Sequence, residues 1–154
     1  MKMIKRIFGA LSVSLAVSAA FMSQAMATPV VYLDPATQET TNSQATVSIW
    51  VKDLTTDVAA VGLQLLFDPA VLKILPGGFT VDPDGKMGVS LDPLNDSSTS
   101  GAGILDLFFG SDLSLDATAL ATNEGTSFRL ATVTFDRVDF GFSLLTFANV
   151  TLST

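Results

Sequence analysis

Two stretches of strict alternation constrain the fold more than anything else in this sequence. Val47, Ile49 and Val51 alternate with Ser48, Trp50 and Lys52, and Ala59, Val61, Leu63, Leu65 and Phe67 alternate with Ala60, Gly62, Gln64 and Leu66. Successive side chains of a strand point to opposite faces, so a period of two predicts strands with one buried face and one turned outward. Further runs at Val30–Leu33, Val71–Leu75, Met87–Leu91, Ile104–Phe109, Ser127–Phe135 and Leu144–Leu152 are bounded by Gly, Pro, Asp or Ser and read as strands as well. No stretch sustains a helical period. Leu113–Ala121 is expected to hold one turn of helix, with Asp112 and Asp116 as candidate caps.

Two of these runs change phase midway. Phe128 and Leu130 share one face while Ala131, Val133 and Phe135 share the other, and Leu145 and Phe147 are followed out of phase by Val150 and Leu152. One extra residue in a strand moves every later side chain to the opposite face, so the pattern predicts a β-bulge or a strand that crosses between sheets. Both features belong to sandwiches and jelly rolls.

Turn chemistry divides the strands. Asp34-Pro35, Asp68-Pro69, Asp82-Pro83 and Asp92-Pro93 each combine a fixed proline φ with a side chain that accepts nearby backbone N–H groups, and each is expected to mark a strand end or turn. Pro76-Gly77-Gly78 and Asp84-Gly85 predict further turns, and the Ser/Gly-rich stretch from Asn95 to Gly103 an exposed loop.

The N-terminus reads as a targeting segment. Lys2, Lys5 and Arg6 precede an apolar run from Ile7 to Ala20, and Ala25-Met26-Ala27 has the small-x-small form of a signal-peptidase site, so cleavage is expected after Ala27. A membrane anchor is the rival reading, but the run is shorter than the ~20 residues of a span and is interrupted by Ser12, Ser14 and Ser18. Residues 28–154 are then expected to form one domain, long enough to bury its own core.

Charge and composition narrow the function classes. The chain carries 8 Lys and Arg against 15 Asp and Glu; three of the cations lie in residues 1–27, which leaves five against fifteen, or −10, in residues 28–154. That balance argues against nucleic acid and anionic membrane surfaces, which need a clustered positive field. With neither Cys nor His in the chain, disulfides, thiolate nucleophiles, imidazole bases and the usual zinc ligands are excluded.

Ordered motifs then point to a family. The run Val58-Ala59-Ala60-Val61-Gly62-Leu63-Gln64-Leu65-Leu66-Phe67-Asp68-Pro69-Ala70-Val71-Leu72 resembles the cohesin segment in which an alternating strand ends in a Phe/Tyr-Asp-Pro turn followed by Val-Leu. Gly125-Thr126-Ser127-Phe128-Arg129-Leu130-Ala131-Thr132-Val133-Thr134-Phe135 resembles a later cohesin strand, and Leu145-Thr146-Phe147 with Val150-Thr151-Leu152 the closing one. The resemblance spans nearly all of Val30–Thr154 in the same order. It implies an all-β jelly-roll sandwich of about nine strands, related to carbohydrate-binding modules, that acts as an exported or surface-bound non-catalytic binder. In cellulosomal cohesins the partner is a dockerin. Members that bind dockerins often present Asn and Asp on the outward face of the strand before Phe-Asp-Pro, where this chain has Ala60 and Gly62, so the dockerin site is not carried over residue by residue. Single cohesin-like domains also occur in exported bacterial proteins outside cellulosomes, often ahead of a Pro-Glu-Pro sorting tail. This sequence stops at Thr154, at the end of the last expected strand, which leaves a continuation open.

Among individual residues, Trp50 and Gln64 are outward by alternation and are the candidate binding residues. An outward Trp can stack on a sugar ring or anchor a protein; the competing expectation is that a loop or neighbouring strand covers it. Asp82 and Asp84 are weak calcium candidates, because carboxylate-rich turns suit hard cations, although Asp82-Pro83-Asp84-Gly85 lacks the EF-hand spacing; otherwise no cofactor is expected. Glu39 and Glu124 fall in polar connections outside any recognisable motif, and no activated nucleophile is visible, so an enzyme is not expected. The leading expectation is an exported module that binds a dockerin-like or other exported protein; the alternatives are a polysaccharide-binding module and a structural component of a surface matrix.

Overall fold

In the computed structural model the described residues are 28–38, 42–88, 103–112 and 114–154. They form seven strands, β1 (Val30–Asp34), β2 (Gln44–Lys52), β3 (Ala60–Leu66), β4 (Leu72–Val81), β5 (Ile104–Gly110), β6 (Ser127–Arg137) and β7 (Thr146–Ser153), and one helix, α1 (Ala117–Glu124). The strands build two antiparallel sheets, one in the order β1-β2-β6-β4 and the other in the order β5-β3-β7. Their inner faces share one core, to which the first sheet contributes Ile49, Val51, Val133 and Phe135 and the second Val61, Leu63, Leu65 and Leu107. Each such side chain is worth about 1.5–3 kcal/mol when taken fully out of water. The rings of Phe67 and Phe135 meet edge to face at 5.3 Å across this interior. This is the expected β-sandwich, with seven strands among the described residues where the resemblance implied about nine.

Alternation locates the inner faces correctly. Val47, Ile49 and Val51 are buried while Lys52 is exposed, and Val61, Leu63 and Leu65 are buried between half-buried Gly62, Gln64 and Leu66. The phase change in β6 is a bulge. Ile49 pairs with Ala131 but Trp50 pairs with Arg129, so Leu130 is extra, and Leu130 and Ala131 are buried side by side. The extra residue returns Val133 and Phe135 to the face already occupied by Phe128 and Leu130. In β7 the bulge falls at Asn149, whose φ is +50°: Gly62 pairs with Thr151 and Gln64 with Ala148, so the partner strand has one residue more. Phe147 and Leu152 thereby both pack on the core, while Val150 is displaced outward.

Other expectations need correction. Pro76-Gly77-Gly78 is no reversal between strands but an excursion within β4, since Ile74 pairs with Phe135 and Phe79 with Val133, leaving three extra residues on β4. The helix lies later than expected and is longer, Ala117–Glu124. Asp116 caps it by accepting from Ala119 N at 2.8 Å, whereas Asp112 instead accepts from Ser114 N and shapes the preceding turn. Met87 and Gly88 are not in a strand; Met87 is fully buried below a turn, and the rest of the expected strand at Met87–Leu91 lies outside the described residues, as does Asp92-Pro93. Asp68-Pro69 and Asp82-Pro83 form turns as expected, with Asp68 O accepting from Leu72 N and Asp82 O from Gly85 N.

Gly103 enters β5 at a point no other residue can occupy without change. Its φ is +77°, its carbonyl accepts from Phe67 N at 2.8 Å, and a Cβ there would run into Phe67 O and Pro69.

Candidate functional site

The outward face of the three-stranded sheet is built by register. Across β5, β3 and β7 the rows are Gly110, Ala60 and Ser153; Phe108, Gly62 and Thr151; Asp106, Gln64 and Ala148; and Ile104, Leu66 and Thr146. Period two turns these side chains away from the buried Val61, Leu63 and Leu65. Phe108 dominates the face: it is 56 % exposed beside Gly62, whose missing side chain leaves the ring standing above the backbone. Next to it, Asn149 Nδ2 donates to Gln64 Oε1 at 2.6 Å. The left-handed bulge at Asn149 is what aims its amide back at Gln64. Gln64 is thus held in place on this face, and Phe108, which alternation alone does not single out, is its most exposed apolar group.

Trp50 lies on the outer face of the other sheet, in a row with Tyr32 and Arg129. It is half-buried, and the Arg129 guanidinium lies over its ring, 6.0 Å from the centroid. Asp84 holds that guanidinium from the far side, accepting from Nη2 at 2.5 Å and from Nε at 3.3 Å. Lys52 stands over Tyr32 in the same way, at 5.5 Å. One face of the indole is therefore roofed by a cation, and its Nε1 is buried with no hydrogen-bond partner among the described residues; it is not a bare platform for a sugar. Trp50 and Gln64 lie on opposite sheets and do not form one site.

The calcium candidates are occupied by the protein itself. Asp82 accepts from Lys86 N at 2.7 Å with one oxygen and from Met87 N at 3.0 Å with the other, and Asp84 is engaged by Arg129. Among the described residues no group of three or more acidic side chains is placed to hold a metal ion.

Glu124 departs most from its sequence-based expectation. It is the last residue of α1 and is 2 % exposed rather than part of a polar connection. Its Oε2 accepts from Val58 N at 2.8 Å, and its Oε1 is buried without a partner. Burial pushes its carboxyl up to about 7; the Val58 N–H opposes that rise, and the negative charges of Asp57 and Asp82 add to it. Glu39 lies outside the described residues.

No family model matches the sequence, and no curated protein matches it. Solved structures do. A type II cohesin domain from the cellulosome of Acetivibrio cellulolyticus is 24 % identical with a TM-score of 0.52, over 77 % of this chain and 72 % of that one. The seventh ScaB type I cohesin from Pseudobacteroides cellulosolvens is 14 % identical with a TM-score of 0.52, over 71 % and 67 %. A type II cohesin–X–dockerin complex from Acetivibrio cellulolyticus matches at 17 % identity with a TM-score of 0.51, over 76 % and 74 %. With two antiparallel sheets, the two bulges and one shared core in place, the chain has the fold of a cohesin module.

Proposed function

We propose that this chain is an exported, non-catalytic binding module that takes a protein partner of dockerin type on the outward face of the β5-β3-β7 sheet. The observation that carries the reading is Phe108, a large apolar side chain standing more than half exposed on a regular sheet face beside Gly62. Aromatic anchors ringed by smaller polar groups are where protein interfaces concentrate their binding energy, and here the ring neighbours Thr151 and the Gln64–Asn149 amide pair. A structural neighbour solved in complex with a dockerin supports the partner class. Export is supported by Lys2, Lys5 and Arg6 ahead of an apolar run and by Ala25-Met26-Ala27.

The test is calorimetric titration of a panel of dockerin modules into the protein and into Phe108→Ala and Gln64→Ala variants. A dockerin should bind, and Phe108→Ala should weaken it at least roughly ten-fold, the scale of an interface hot spot. If no dockerin binds, or if one binds the Phe108→Ala variant unchanged, this reading of the face is wrong. Export is tested separately: the protein recovered outside the cytoplasm should begin at Thr28, and a chain retained with Met1 intact would refute it.

A further inference from the structure

The segment joining β6 to β7, residues 138–145, turns its apolar side chains outward. Of the seven large apolar side chains exposed among the described residues, four lie here: Val138, Phe140, Phe142 and Leu144, with Phe140 84 % and Phe142 81 % exposed. A cluster of this kind marks a surface that meets something less polar than water. Behind it the sandwich does not close. A cleft of about 780 Å³ opens between this segment and the ends of β1, β2 and β4, with the partly buried Leu33, Leu72 and Leu145 among its walls. Its size and apolar lining lie within the range of small-molecule sites. It shares no residue with the sheet face that carries Phe108.

Arg137 is the only charged side chain among the described residues that line the cleft. Its guanidinium lies over the Phe140 ring, 4.5 Å from the centroid. It makes neither an ion pair nor a side-chain hydrogen bond among the described residues. A guanidinium carries five N–H donors, and no side-chain acceptor among the described residues takes one from Arg137. Asp139 accepts from Phe140 N at 2.7 Å, and neither Asp139 nor Asp136 forms an ion pair with Arg137. A cation with no ion pair among the described residues, at the mouth of an apolar cleft, favours a ligand that joins an anionic head to an apolar body.

We infer that the cleft is a binding site for a single-chain amphiphile of the fatty-acid carboxylate class, with its chain against the partly buried Leu33, Leu72 and Leu145 and its head on the guanidinium of Arg137. Phe140 and Phe142 lose their exposure against the bound chain. A second copy of this protein is the poorer occupant, because a two-fold contact brings the same patch, and so Arg137 itself, face to face.

Dodecanoate below its micellar concentration is the probe, titrated calorimetrically into the full chain as the cell produces it. Dodecyl maltoside and dodecyltrimethylammonium, which share the chain but carry neutral and cationic heads, are titrated alongside. Dodecanoate should bind saturably with one site, at least about ten-fold tighter than either, since hydrogen bonds to a charged group carry that margin. Arg137→Gln, a partly exposed position at a strand end, should fold with an unchanged circular dichroism melt and lose the margin; Phe142→Ser should weaken all three. No saturable dodecanoate binding, equal affinity for the three heads, or unchanged affinity in Arg137→Gln would overturn the inference. A dimer in sedimentation equilibrium that dissociates with Phe142→Ser would overturn it too, because the second copy would then be the occupant.

Discussion

Glu124, the last residue of the only helix among the described elements, accepts the backbone N–H of Val58 with one oxygen and buries the other without a partner. The bond ties the end of α1 to the segment that leads into β3. Because the folded carboxyl is raised to about 7 from an ordinary value near 4.5, the folded state holds a proton that the unfolded chain has already lost between those pH values. Stability associated with Glu124 is therefore fully present below about pH 4.5 and is lost as pH rises through 7. Urea denaturation from pH 5.5 to 8 should show a decline on the order of 2 kcal/mol, and Glu124→Gln should flatten it. An identical slope in the variant would show that another group titrates.

Gly103 should tolerate no side chain. Alanine there meets both a positive φ and the Phe67 carbonyl, beside the bond from Phe67 N to Gly103 O that joins the end of β3 to the start of β5. Gly103→Ala is expected to cost more than about 2 kcal/mol in chemical denaturation. A loss below about 0.5 kcal/mol would mean that the Phe67–Gly103 junction yields readily.

Identical chemistry at two depths should give unequal results. Phe135 is 1 % exposed and packs against Phe67, whereas Phe142 is 81 % exposed. Phe135→Ala should lose about 3–5 kcal/mol through the cavity it leaves, and Phe142→Ala should stay within about 0.5 kcal/mol. Thermal melts of the two variants decide it; comparable losses would mean that the 138–145 segment packs inward in solution.

The Asp84–Arg129 ion pair should hold geometry more than it holds stability. The two side chains are 36 % and 31 % exposed, and pairs in contact with water contribute about 0–1 kcal/mol. A double-mutant cycle with Asp84→Asn and Arg129→Gln should give a coupling below about 1 kcal/mol. Arg129→Gln should nonetheless shift Trp50 fluorescence, because the guanidinium over the indole is removed. Unchanged emission would place Arg129 elsewhere.

Legibility in the sequence follows from the period of the strand. A bulge leaves its mark on alternation, and so the change between Leu130 and Ala131 is visible in the residue pattern alone. Nothing in the spacing of Val138, Phe140, Phe142 and Leu144 distinguishes them from a buried strand, yet they face water. Nor can alternation separate Phe108 from Phe109, adjacent rings of which one is exposed and the other buried, without knowing which face of β5 meets the core. Glu124 reads as polar connection because burial of a residue at a helix end depends on what packs over it, here the segment at Val58, 66 residues earlier.

By itself, then, the sequence determined the class of fold, the inward face of each alternating strand and the turns at Asp68-Pro69 and Asp82-Pro83, all of which are local: they depend on side-chain period and on φ preferences within a few residues. Only the tertiary structure decided that Arg129 covers Trp50, that Asn149 orients Gln64, that Glu124 is sealed against Val58 and that Arg137 stands at an apolar cleft. Each of these joins groups distant in the chain or depends on solvent exposure, and both are set by how the two sheets pack and not by any residue's neighbours in sequence.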